Sequence, residues 1–356
     1  MMSKNFGREA GLSIVELMIA LLLAALLTTG LVQIFTSNSQ TSRVNEASAR
    51  VQESGRLASD ILSRAIRNAA YWGCTNQVRI NLMLRDDGSV DLSQFTLGID
   101  AEFNVPAGNA WGAVPGSDVL LLGGVNTNAA LRTTNQTPVN SATIFTGVNP
   151  EDYVDKGDIL LISDCRFGDI FQATQVQNNA IVASTSQGAG TPNPGNATQT
   201  QSEYPSGATV FRPQRNTFYA RQAAGDDRSL TLNPMIVTTS GGSSVGALGG
   251  AVELVNDVRD MRIRLGIRAG ATPPDNARVG QWVTSWAGVS DEQEVIAVQV
   301  SLLARASQDN VVDQPQSLCF PEWLDCASNS SLLTQMPDRR LYRVFTSTTG
   351  IRSRLP

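Results

Sequence analysis

The chain has 356 residues, 27 basic and 32 acidic side chains and a net charge of −5, enough for one large domain or two small ones. It has no histidine, which excludes Ser-His-Asp and Cys-His catalysis, His-ligated zinc of the His-Glu-x-x-His kind and His-ligated iron or copper. Lys4 and Lys156 are the only lysines and no basic patch stands out, so no enzyme, cofactor or metal site is expected, and no nucleic-acid partner.

The first element is a short polar leader, residues 1–11, with Lys4, Arg8 and Glu9. Leu12 to Phe35 follows, 24 residues with one charged side chain, Glu16. A bilayer core needs about 20 apolar residues in helical form. A secretory signal has a shorter apolar core and a small-residue cleavage site after it. Here the small residue, Gly11, comes before the run. Cleavage there keeps the hydrophobic helix and removes only the leader. The positive-inside rule puts Lys4 and Arg8 on the cytoplasmic side and the rest of the chain outside the membrane.

The stretch Gly11-Leu12-Ser-Ile-Val-Glu16-Leu resembles the type III signal of type IV pilins and pseudopilins. Leu12 departs from the Phe most common in that family. The resemblance implies that a prepilin peptidase cuts after Gly11 and methylates the new N-terminus at Leu12. It also implies that Glu16 serves assembly by pairing with the N-terminal amine of an adjacent subunit. A carboxylate inside a membrane helix costs a few kcal/mol and usually marks function.

No proline occurs from Leu12 to Ala70, and Val44, Ala47, Val51, Ala58, Ile61, Ala65 and Ala69 recur at helical spacing. The periodicity predicts one helix from Leu12 to about Ala69, roughly 87 Å long. Residues 12–35 form its transmembrane and assembly half, and residues 36–70 an amphipathic half that must pack on something. Glu46 with Arg50, and Asp60 with Arg64, are i,i+4 pairs in the favoured orientation. Gly30 and Gly55 are the weak points. The Gly30 region is the expected place for local loosening within a filament.

From residue 71 to 356 the pattern is of short strands, expected to form a β-rich periplasmic head. Strand candidates are Val78–Leu84, Val119–Gly123, Thr143–Val148, Ile159–Ser163, Asp169–Val176, Ala180–Ser184, Ala208–Arg212, Thr217–Arg221 and Ser229–Leu232. Met261–Ile267 and Ile296–Leu302 alternate cleanly, and Leu341–Thr348 follows late. A hairpin turn is expected at Gly225. Asn126–Asn140, Gln187–Thr200, Ser240–Gly250 and Ala269–Gly280 read as loops. Asp86–Asp91 reads as a β-turn, since position twelve of a calcium loop would be Leu97. Trp282, Trp286 and Trp323 read as core or disulfide-sealing aromatics rather than a contact surface.

Cys74, Cys165, Cys319 and Cys326 match no zinc or thioredoxin spacing. Outside the inner membrane, disulfides persist. Cys319–Cys326 closes a natural short loop, which leaves Cys74 with Cys165; four cysteines allow three connectivities.

Asn68–Cys74, Gly157–Cys165, Leu254–Ile267 and Arg339–Thr348 look like segments of PilW-type minor pilins. The resemblance implies an α+β, pilin-like fold: a long N-terminal helix packed on a large antiparallel β-rich head. It implies a minor pilin of a type IV pilus, acting in a priming and tip complex. Implied partners are the prepilin peptidase, other minor pilins, the major pilin, a PilY-type tip adhesin and the inner membrane. Implied location is the inner membrane with the head in the periplasm, then the pilus at the cell surface, in the service of adhesion and twitching motility. The alternatives are a J-like pseudopilin of a type II secretion system, whose usual chain is much shorter, and a membrane-anchored adhesin or binding module that never polymerises. An anchored enzyme ranks last.

Overall fold

The computed structural model describes residues 14–73, 75, 77–82, 97–185, 195–222, 226–240 and 243–355. Gly11, Leu12, Cys74, the Asp86–Asp91 turn and Gly225 lie outside the described residues, as does residues 187–194 of the low-complexity loop. The chain is α+β, with one long N-terminal helix followed by a β-rich region.

Helix α1 runs from Ile14 to Arg67 without a break. The expected i,i+4 pairs form, Arg50 to Glu46 at 2.7 Å and Arg64 to Asp60 at 2.5 Å. Both are exposed, so each contributes only a few tenths of a kcal/mol. The strands follow in chain order. They are β1 (Val78–Ile80), β2 (Ile99–Glu102), β3 (Val119–Arg132), β4 (Thr143–Phe145), β5 (Ile159–Ser163) and β6 (Gly168–Gln172). Next come β7 (Gln175–Gln177), β8 (Ala180–Val182), β9 (Thr209–Gln222), β10 (Arg228–Ser240), β11 (Ser243–Leu248) and β12 (Val252–Asn256). The last are β13 (Val258–Arg268), β14 (Val279–Val283), β15 (Val295–Arg305), β16 (Ser317–Cys319), β17 (Leu333–Gln335) and β18 (Tyr342–Gly350).

A nine-stranded sheet is built around β9, which pairs with β3, β5 and β10. Its pairings are antiparallel except β1 with β6. The two strands expected at Ala208–Arg212 and Thr217–Arg221 are one strand, with Pro213 inside it. Proline has no N–H to give a ladder. On one edge β9 pairs with β5 as far as Phe211 and with β10 from Arg215, so Pro213 sits in the gap between two neighbours. The antiparallel register of Gln222 with Arg228 makes β9 and β10 the expected hairpin. A four-stranded antiparallel sheet, ordered β14-β13-β15-β18, carries α1 on one face. Two smaller sheets, β4-β8-β7 and β16-β17, complete the head.

Three expected loops hold strand. β3 continues to Arg132, β11 lies inside Ser240–Gly250, and β14 begins at Val279. Their Gly-, Ser- and Asn-rich sequences have little strand propensity of their own; pairing with a long neighbour supplies the conformation. The main core joins Ala58, Leu62 and Ile66 of α1 to Ile99, Leu120, Phe218, Met261, Ile263, Leu265, Val298, Val300 and Leu302. A second core, made of Leu131, Ile144, Leu160, Phe171, Ile181, Tyr204 and Val210, fills the lobe where the β4-β8-β7 sheet joins β3, β5, β6 and β9 of the large sheet.

Candidate assembly site

The first half of α1 has no partner among the described residues. Its apolar side chains are exposed from Ile14, at 80%, to Phe35, at 75%. By length and composition this helix is able to cross a membrane. Glu16 lies in its exposed first turn, one turn beyond Leu12 in sequence. Thr28 and Thr29 donate their hydroxyls to the carbonyls of Ala24 and Ala25, at 2.7 and 2.8 Å. That leaves no hydroxyl donor seeking water in this stretch. A Cβ on Gly30 would meet nothing within 4 Å, and the helix continues through it.

The second half of α1 is docked. The buried seam is Val51, Gly55, Ala58, Leu62 and Ile66. It lies one residue round from part of the expected stripe: Ile61 and Ala65 flank the core, and Leu62 and Ile66 are its centre. Four apolar residues in six positions left the sequence reading with two adjacent stripes to choose from. Gly55 also has a different role from the expected weak point. A Cβ there would come within 2.2 Å of the Phe345 ring of β18. The glycine lets the helix and the sheet approach closely, which offsets its poor helix propensity. At the N-terminal end of the docked half, Gln40 donates to the Val311 carbonyl at 2.9 Å.

The helix exit is stitched to the head. Ala70 takes a left-handed φ of 56° and donates its N–H to the Gly123 carbonyl at 2.8 Å. Val125 donates to the Tyr71 carbonyl at 3.1 Å, and Ser353 Oγ to the Ala69 carbonyl at 2.9 Å. The C-terminal tail is held in turn by Arg354, which pairs with Glu292 and donates to the Val295 carbonyl at 3.0 Å. Glu292 also accepts from the backbone N–H of Ile99 at 3.2 Å. None of this ring of contacts was visible in the sequence, because its members lie far apart along the chain.

The outer face of the four-stranded sheet is polar and aromatic. The Arg264 guanidinium lies 4.9 Å from the Trp282 ring and 5.0 Å from the Trp323 ring. Trp286 packs against the main core, and its indole donates to the Ala101 carbonyl at 2.8 Å. Cys319 and Cys326 form a disulfide with Cα atoms 5.8 Å apart, and Trp323 lies in the loop they close. Cys74 lies outside the described residues, and with it the expected pairing to Cys165.

Two carboxylates, the buried Asp118 and the partly buried Asp260, share Arg262. Asp118 accepts from the N–H groups of Asn104 and Ile263, both at 2.8 Å, tying β3 to β13. Burial raises its carboxyl, against those hydrogen bonds and the Arg262 charge. Asp260 stands 3.6 Å from Arg262. Burial pushes its carboxyl up to about 6, with Arg262 and the Met261 N–H pulling down and Asp118 pushing up. Among the described residues, no cluster of three or more His, Cys, Asp and Glu is placed to hold a metal. An open cleft of about 900 Å³ at the helix exit is lined by Arg67, Tyr71, Gln214 and Arg352 among others.

An exposed half-helix long and apolar enough to cross a membrane, continuous with a half docked on a β-rich head, defines the class. Comparison with family models narrows it, since residues 217–353 match Type IV Pilus-assembly protein W, PilW. The match covers that region alone and supports a PilW-like protein with a part in type IV pilus assembly. Neither the curated proteins nor the solved structures gave a match.

Proposed function

We propose that the chain is a minor pilin of the type IV pilus, a structural subunit rather than an enzyme. In this reading a prepilin peptidase cuts after Gly11 and methylates Leu12, and the apolar half of α1 waits in the inner membrane with the head in the periplasm. Extraction into the filament then buries the same apolar surface against neighbouring helices. Glu16 sets the register of that packing by pairing with an N-terminal amine. Its carboxylate costs a few kcal/mol in the bilayer, and the pairing offsets this cost. The head meets other minor pilins and a PilY-type adhesin in a priming and tip complex. The observation that carries the reading is α1, apolar and exposed over its first half and continuous into the docked second half.

The test is a deletion strain complemented with the wild-type chain or with Glu16→Ala. Deletion is expected to remove most surface pili, and Glu16→Ala to lower incorporation at least ~10-fold, in line with loss of a charge pair in low dielectric. Normal pili in the deletion strain would refute the assembly role. Protein sequencing of the sheared filament fraction is expected to begin at methylated Leu12; a start at Met1 would refute the processing.

A further inference from the structure

Among the described residues β18 presents a long, regular strand edge that is open. β18 pairs with β15 through nine consecutive residues without a bulge. Among the described residues no strand pairs with its other edge. Such an edge is a row of backbone N–H and C=O groups, a template for another strand. Proteins blunt exposed edges by short length, charge, proline or bulges.

The other edges here carry such devices or are shorter. β1 has three residues. β2 has four, including Asp100 and Glu102. β12 carries Glu253 and its pairing shifts between Leu230 and Thr231. The pairing of β14 shifts between Ile267 and Arg268. β11 has six residues. β18 has nine residues, no proline and one charge, Arg343, near its start. That guanidinium donates to Ser48 Oγ on α1 at 3.1 Å, so it leans onto the helix. From Val344 to Gly350 the strand is uncharged and rich in β-branched residues, which favour extended backbone.

We propose that the free edge of β18 receives an extended, uncharged segment of a neighbouring pilus subunit, lengthening the four-stranded sheet by one strand. Main-chain hydrogen bonds supply the affinity in such an addition. A charged segment would place its charges beside a strand with no counter-charge from Val344 to Gly350. The position of the edge also fits this occupant. β18 is the strand on which the docked half of α1 packs, with Phe345 against Gly55, so a strand added to β18 lies on the same helix–sheet unit whose apolar half enters the filament. The inference rests on the filament-subunit reading above.

The test uses the full-length chain in its own host. N–H groups alternate in direction along a strand, so Thr346→Pro and Ser347→Pro remove one N–H that serves β15 and one that points outward. The inward loss breaks a ladder bond and lowers Tm; the outward one is tolerated, as proline is on edges. The Tm-neutral variant, within about 3 °C of wild type, is expected to lower surface pili at least ~10-fold. Wild-type piliation by that variant would overturn the proposal. A second arm reads the edge directly if both prolines unfold the head. A photo-crosslinking residue at the exposed Thr348 is expected to join a pilus-subunit peptide of uncharged, strand-forming sequence, and the same probe at Gln281 on β14 is not. No such adduct, or an equal one from both sites, would overturn it. Failure of the filament reading is separate: it shows as normal pili in the deletion strain, whatever the edge variants do.

Discussion

At Asp260 the sign of the pH dependence is opposite to that of a salt-bridged carboxylate. Its pKa of about 6 in the fold exceeds the ordinary value of 3.8, so between the two the folded state binds the extra proton. Stability therefore falls as pH rises from about 4 to 6 and stays lower above, by an amount on the order of 3 kcal/mol. Asp260→Asn is expected to remove that slope and to raise Tm at pH 7, measured by thermal melts from pH 4 to 7; an unchanged slope would show that the carboxyl is not desolvated. Asp226 behaves in the other sense. Burial raises it, but the hydrogen bond and charge of Arg305, with the charges of Arg228 and Arg340, hold it below the ordinary range. Its contribution is present above the unfolded pKa and is lost as pH falls through the lowered one. Neither role was legible in the sequence. Arg262, two residues on in the same strand, shares a face with Asp260 by alternation, but the burial of Asp260 and the nearness of Asp118 come from the packing of distant segments.

At the scale of single elements, the docked half of α1 makes a sharp prediction. Gly55→Ala improves helix propensity by about 1 kcal/mol yet drives a methyl into the Phe345 ring, and overpacking of this kind costs about 1–3 kcal/mol. The variant is expected to melt lower than wild type, and Phe345→Ala in the same chain to relieve most of the added loss. A stabilised Gly55→Ala would mean the helix sits farther from β18. The Cys319–Cys326 loop makes a second. Replacing both cysteines by Ala is expected to cost about 2 kcal/mol in urea melts, through the freed unfolded chain. The helix, its two i,i+4 pairs and this disulfide were readable because each is local in sequence. So were Ile159–Ser163, Met261–Ile267 and Ile296–Leu302, where the apolar pattern sets the strand. β11, β14 and the far half of β3 were not, because their conformation comes from the partner strand.

Across the whole molecule the described residues form several hydrophobic clusters, and the two largest draw on different stretches of the chain. The core built on α1 involves strands of the PilW-matching region, whereas the second lobe is formed by residues that precede Thr217. A deep deletion in that lobe should therefore act locally. Ile181→Ala, at a fully buried site, is expected to cost its own lobe about 2–5 kcal/mol. Hydrogen exchange should then rise in β4, β5 and β8 and change little in β13 and β15; a uniform rise would show one cooperative unit. The sequence supported the α+β class and the apolar anchor, because both follow from composition shifts along the chain. It did not reveal two cores, since the residues of each are interleaved over long separations.

The seam between α1 and the head also has a mechanical consequence. It runs from Val44 to Ile66, about 33 Å at the helical rise. In the filament proposed above, tension would pull on the apolar half of the helix along its axis. That force meets the seam lengthwise, so its contacts must slip together instead of peeling one at a time. The stitched exit, with Ser353 on Ala69 and Ala70 on Gly123, is a stop at the far end. A pulled helix has to drag the C-terminal tail and β3 with it before the head lets go.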